Sequence, residues 1–197
     1  MWQIEKKVRQ KGYAQIAGID EAGRGPLAGP VVSAAVILPH DFSCSGITDS
    51  KKLSEKKRHL FFPRIMQQAV AVGVGICDHK EIDTANILVA ALLSMKRAVR
   101  NLDITPDFLL VDGNFPISTD ISQQTVIKGD TKSISIAAAS IIAKVTRDRI
   151  MTTLHQTYPL YNFIQHKGYP TVFHIKALLE HGPCPVHRKT FKGVCRP

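Results

Sequence analysis

Two adjacent carboxylates, Asp20 and Glu21, end a short apolar run, and the turn Gly23-Arg24-Gly25 follows at once. The chain carries 16 acidic residues against 26 Lys and Arg, so a doubled acid in that place stands out from its background. Acids at a strand end can hold a divalent cation, and glycines beside them let backbone N–H groups come close to a phosphate. The combination points to metal-assisted chemistry on a phosphodiester.

Two more acids share the pattern. Asp112 follows Phe108-Leu109-Leu110-Val111 and precedes Gly113, and Asp130 follows Val126-Ile127-Lys128-Gly129. In open α/β sheets, ligands bind at the carboxyl ends of parallel strands. If these strands are neighbours, four carboxylates converge. Two unit charges about 4 Å apart repel by about 4 kcal/mol at an effective dielectric near 20. Mg²⁺ or Mn²⁺ would neutralise such a cluster. Two such ions can activate a water and stabilise the leaving oxygen of an in-line displacement at phosphorus. No nucleophilic side chain is then required, and none is evident.

Other readings exist for each residue alone. Asp112-Gly113 suits a turn and Asp130 a helix N-cap. Gly23-Arg24-Gly25 with Gly29 faintly matches a dinucleotide loop, but the spacing is off by one residue and Pro26 interrupts it. Asp20 and Glu21 would also repel a bare pyrophosphate. Taken jointly, on a basic chain, the acids favour the metal reading.

A chain of 197 residues, 44% hydrophobic and 21% charged, suits one soluble globular domain spanning 1–197. Its net charge of +10 and pI near 9.6 attract polyanions, of which nucleic acid is the commonest. Lys51, Lys52, Arg147, Arg149, Arg188 and Lys189 are candidates for phosphate contacts, with a solvated surface charge as the ordinary alternative for each. The cysteines Cys44, Cys77, Cys184 and Cys195 form no Cys-x-x-Cys pair, and Cys184 with His187 and Cys195 lacks a fourth spaced zinc ligand. Reduced thiols, no apolar run of 18 residues and a charged N-terminus without a signal-peptide core predict a cytoplasmic protein with no membrane span. A monomer suffices for the chemistry.

The elements that must position these residues follow from periodicity. Strands are predicted at Ala14–Ile19, Val31–Leu38, Ala69–Cys77, Phe108–Val111 and Thr125–Ile127. Helices are predicted at Ser54–Gln68, Thr84–Asn101, Ser133–Tyr158 and Thr171–Glu180. Ile134, Ala137, Ala138, Ile141, Ile142 and Val145 give the third helix a broad apolar face, so it is expected to be buried. The order predicts an α/β fold, a mixed sheet with a parallel portion covered by helices.

The chain closely resembles the ribonuclease HII family along nearly its whole length. The likeness runs through Gly18-Ile19-Asp20-Glu21-Ala22-Gly23-Arg24-Gly25, Asp49-Ser50-Lys51-Lys52-Leu53, Val111-Asp112-Gly113 and Lys128-Gly129-Asp130. It continues in Ala137 to Asp148, His166-Lys167-Gly168-Tyr169-Pro170-Thr171 and His187-Arg188, in matching order and spacing. The resemblance implies a ribonuclease H-like fold with a five-stranded mixed sheet flanked by helices. It assigns catalytic and Mg²⁺- or Mn²⁺-binding roles to Asp20, Glu21, Asp112 and Asp130. It assigns substrate recognition to Gly23, Arg24, Gly25 and Tyr169, and its loop motif makes Lys51 the favoured phosphate contact. The implied substrates are RNA–DNA hybrids and duplex DNA containing single ribonucleotides, cut on the 5′ side of the ribonucleotide to leave a 3′-hydroxyl and a 5′-phosphate. The related ribonuclease HIII carries an extra N-terminal domain, for which the 13 residues before Ala14 leave no room. The short tail after Phe191 lacks the longer helical extension of some relatives.

Overall fold

The computed structural model describes residues 1–43 and 54–195. Lys51 and Lys52 therefore lie outside the described residues. Five strands form one sheet: β1 (Ile16–Ala22), β2 (Val31–Ile37), β3 (Ala71–Cys77), β4 (Phe108–Asp112) and β5 (Ser122–Val126), in the order β3-β2-β1-β4-β5. β1, β2 and β3 pair antiparallel, while β1 with β4 and β4 with β5 pair parallel. This is the mixed sheet expected.

Seven α-helices are described: α1 (Gln3–Arg9), α2 (Glu55–Gln68), α3 (His79–Ala85), α4 (Ile87–Arg100), α5 (Ile134–Thr157), α6 (Phe163–His166) and α7 (Val172–His181). α5 covers one face of the sheet, where its Ile134, Ala138, Ile141 and Ile142 pack with Ala34 and Val36 of β2. Replacing such a fully buried isoleucine by Ala costs about 2–5 kcal/mol. The close approach depends on Gly18: a Cβ there would collide with the backbone of Ser135 and Ile136. On the other face, Met95 and Ala98 of α4 pack against Ala17, Ile19, Ala35, Leu109 and Val111. Alternation along a strand therefore turns Asp20 and Asp112 toward the α5 face.

The structure differs from expectation at several elements. The segment Thr84–Asn101 is not one helix. It breaks at Asn86, which has φ +71° and whose side chain caps α4 by accepting from the N–H groups of Leu88 and Val89. β5 begins earlier than expected, at Ser122, and α1 and α6 are additional. Among the described residues, no helix is long and apolar enough to cross a membrane.

Candidate active site

The site is built at the carboxyl ends of the two central parallel strands. Register aligns Ile19 with Val111, so the next residue on each strand, Asp20 and Asp112, arrives at the same edge. A cavity of about 480 Å³ opens there, walled by Asp20, Glu21, Asp112, Gly23, Arg24, Gly25 and Tyr169, with Ser140, Lys144 and Arg147 from α5 and Arg58 from α2. Three of the four predicted carboxylates and all the described predicted recognition residues thus share one wall. Asp130 does not line the cavity; it is buried in a 3-10 turn (Gly129–Thr131). Its neighbour Gly129 donates its N–H to Asp112 Oδ1 at 2.6 Å, which couples the two strand ends.

The electrostatics are those of crowded acids. Asp20 is 3% exposed, and its carboxyl is pushed well above the usual range, first by burial and then by the negative charges of Glu21 and Asp112. Hydrogen bonds from Ser140 and from the N–H of Glu21, the latter at 2.7 Å, oppose that shift only in part. Such a set gains by taking up a divalent cation, and its hard oxygen donors suit Mg²⁺ or Mn²⁺, so the residues present fit the implied metal. They are not a closed ligand cage: among the described residues, no three His, Cys, Asp or Glu side chains stand as a preformed metal-binding group.

The segment from Gly23 to Pro30 is held by two buried cations. Arg188 donates to the carbonyls of Gly23 (2.6 Å), Arg24 (3.0 Å) and Gly29 (3.0 Å). Arg147 donates to those of Pro30 (2.9 Å), Ala28 (3.2 Å) and Lys167 (3.0 Å). Gly23 has φ +102°, and a Cβ there would strike the Arg147 side chain. The Tyr169 ring lies over Gly25, within 3.5 Å of where a Cβ would stand.

Arg147 and Arg188 are not the solvated surface charges that stood as the ordinary alternative to a phosphate contact, and Arg147 edges the cavity. They are 1% and 0% exposed, with their donors spent on six carbonyls. Burial lowers both, to about 10 and about 9, which still leaves them charged at neutral pH. Arg149 and Lys189 remain exposed, with the Arg149 guanidinium 4.3 Å from the centre of the Phe62 ring. The cations that do reach the cavity include two that sequence reasoning missed, Arg58 and Lys144. Lys144 lies four residues after Ser140 on a helix already expected to be buried, and that spacing was the available signal. A larger cleft of about 690 Å³, between α4 and the loops before β4 and β5, contains none of the predicted residues.

Comparison with known proteins decides the family. The sequence pattern described as Ribonuclease HII matches residues 17–194. The chain belongs to the ribonuclease HII family. It is 55% identical to the ribonuclease HII of Geobacter sulfurreducens over 194 residues, 98% of this chain and 89% of that one. Its structure is similar to ribonuclease H2 from Pyrococcus horikoshii, with a TM-score of 0.78 and 28% identity over 92% of this chain and 95% of that one. The fold also matches Bst-RNase HIII, solved in complex with Mn²⁺, at a TM-score of 0.66 and 21% identity over 87% and 71% of the two chains. As a ribonuclease HII the chain is a nuclease, a hydrolase with ribonuclease H activity on RNA–DNA hybrids.

Proposed function

We propose that this ribonuclease HII cuts both RNA–DNA hybrids and duplex DNA at single embedded ribonucleotides, on the 5′ side of the ribonucleotide. The observation that carries the reading is the shared cavity wall. Three carboxylates suited to a divalent ion stand beside the Gly23-Arg24-Gly25 turn and the exposed ring of Tyr169.

Asp20, Glu21, Asp112 and, from behind Asp112, Asp130 would hold the Mg²⁺ or Mn²⁺ ions. Bound there, a pair of ions supplies an activated water and stabilises the departing 3′ oxygen. Water adds at phosphorus and the bond to the upstream 3′ oxygen breaks, leaving a 3′-hydroxyl and a 5′-phosphate. The 2′-hydroxyl both donates and accepts hydrogen bonds, and it is what separates RNA from DNA. With its carbonyls drawn inward by Arg188, the turn is left with N–H groups to meet that hydroxyl. Tyr169 packs its ring against the sugar of the next nucleotide. Arg24, Arg58 and Lys144 hold flanking phosphates, and Lys51 is proposed for the same task. The chain acts as one catalytic domain over residues 1–197, as a monomer in the cytoplasm.

The test uses a DNA duplex with one ribonucleotide, an all-DNA duplex, and Mg²⁺, Mn²⁺ or EDTA. A metal-dependent nick 5′ to the ribonucleotide, absent from all-DNA, is expected. Equal cutting of the all-DNA duplex would overturn the 2′-hydroxyl reader, and binding without a cut would overturn the catalytic reading.

A further inference from the structure

Behind the cavity lies a group of buried histidines that the chemistry above does not use. His166 is 8% exposed, and His174 and His187 are fully buried. They sit among Tyr161, Phe163 and Cys184, with the rings of His166 and His174 stacked 4.5 Å apart. The ring nitrogens of His174 and His187 link Cys184 to Tyr169 in one continuous chain of contacts. Cys184 Sγ lies 3.1 Å from His187 Nδ1, His187 Nε2 lies 2.9 Å from His174 Nε2, and His174 Nδ1 lies 2.9 Å from the carbonyl oxygen of Tyr169.

The contacts on His174 and between the two rings set the order of protons in this chain, with the Cys184 carbonyl oxygen also 3.2 Å from His187 Nδ1. A carbonyl only accepts, so His174 Nδ1 carries a hydrogen and donates it to Tyr169. A neutral His174 then presents a bare Nε2, which must accept from His187 Nε2–H. His187 is left with a bare Nδ1, which accepts from the Cys184 N–H at 3.0 Å and from its thiol. The opposite tautomer of His187 would set two lone pairs face to face in a dry interior, which is costly. Burial agrees with neutral partners: it holds His187 down, to about 4, and pushes the Cys184 thiol up, to about 11.

The chain ends on the residue that reads substrate. His166 Nδ1 accepts from the N–H of Gly168, directly before Tyr169, and its Nε2 donates to the carbonyl of Tyr161 at 2.7 Å. The carbonyl of Gly168 in turn accepts from Leu27 N–H at 2.8 Å, beyond the Gly23-Arg24-Gly25 turn. We propose that the ordered chain Cys184–His187–His174 is a positioning device that fixes the backbone of Tyr169, so that its ring stands over Gly25 at the distance a ribonucleotide junction requires. His174 is the positioning residue, acting through Tyr169 and not on the substrate. This rests on the reading of Tyr169 as the junction reader.

The test separates the two nitrogens of His174. An asparagine amide N–H stands near the place of Nδ1 and keeps the donor to Tyr169, whereas glutamine reaches the place of Nε2 and loses it. H174Q is expected to slow nicking at a single ribonucleotide about tenfold while duplex affinity changes less than about threefold, and H174N to restore most of the rate. In a Y169A background, H174Q should add less than about threefold. Equal slowing by H174Q in the wild-type and Y169A backgrounds would overturn the positioning role, as would equal loss in H174N and H174Q. Wild-type nicking by Y169A alone would instead remove the reading of Tyr169 on which it rests. If H174Q does not fold, H187N, which loses the Nε2 donor to His174, replaces it as the disrupting variant, with H187Q as the variant that keeps the donor.

Discussion

Arg188 donates through Nη2 to the carbonyl of Gly23 at 2.6 Å, across 165 residues of sequence. Through Nη1 the same guanidinium takes the carbonyl of Arg24. The turn at the cavity mouth is thus shaped by a cation near the far end of the described chain, and its carbonyls are drawn away from the solvent side.

A Lys at this position supplies a point charge where Arg supplies a planar fork, so it cannot serve three carbonyls at once. Arg188→Lys is therefore expected to destabilise the protein by about 1–3 kcal/mol per carbonyl left buried and unmet. Nicking at a single ribonucleotide should fall more than duplex binding. Urea unfolding and single-turnover rates measure both, and a Lys variant with native stability and rate would contradict the clamp.

Acid should weaken the fold through the histidines. Burial holds His166, His174 and His187 below 6.5 in the folded state. The unfolded chain takes up protons below about pH 6.5, so the stabilisation is present above that pH and is lost as pH falls, through about 4 for His187. The slope approaches about 1.4 kcal/mol per pH unit for each histidine. Asp20 acts with the opposite sign, because its raised carboxyl is relieved by protonation. Urea midpoints in an Asp20→Asn background, measured from pH 7.5 to 5, isolate the histidines. A midpoint that does not fall over that range would contradict their buried neutral state.

Arg24, Arg58 and Lys144 line the cavity, so binding of a hybrid should weaken steeply with salt. Each phosphate neutralised contributes about 0.9 to the logarithmic slope on duplex DNA. Arg58→Ala should lower that slope by about one without changing which bond is cut. An unchanged slope would take Arg58 off the phosphate path.

Much of this was legible in the sequence, for physical reasons that differ by element. β1, β2 and β3 are runs of Val, Ile and Ala buried against a helix, and α5 announces itself by its apolar face. β5 is an edge strand whose Ser122, Gln123 and Gln124 give little apolar signal, so only its end was read. α1 buries only Glu5 and Val8 among charged neighbours, and its periodicity is correspondingly faint. The acids were visible because each closes an apolar run. Arg147 and Arg188 were misread because a buried arginine whose partners are distant carbonyls looks, in sequence, like any surface cation. The histidine chain was invisible for the same reason: His174 and His187 meet only after α7 folds back on the segment that follows it.

The central claim is that Asp112 belongs to a metal-holding carboxylate set that cuts the strand selected by the neighbouring turn. Its most direct measurement is the single-turnover nicking rate at an embedded ribonucleotide, titrated with Mn²⁺, for the wild type and for Asp112→Asn. The wild type should saturate with Mn²⁺, and Asp112→Asn should stay slower by about a thousandfold or more at every concentration while still binding the duplex. An Asp112→Asn protein that nicks at close to the wild-type rate would contradict the account.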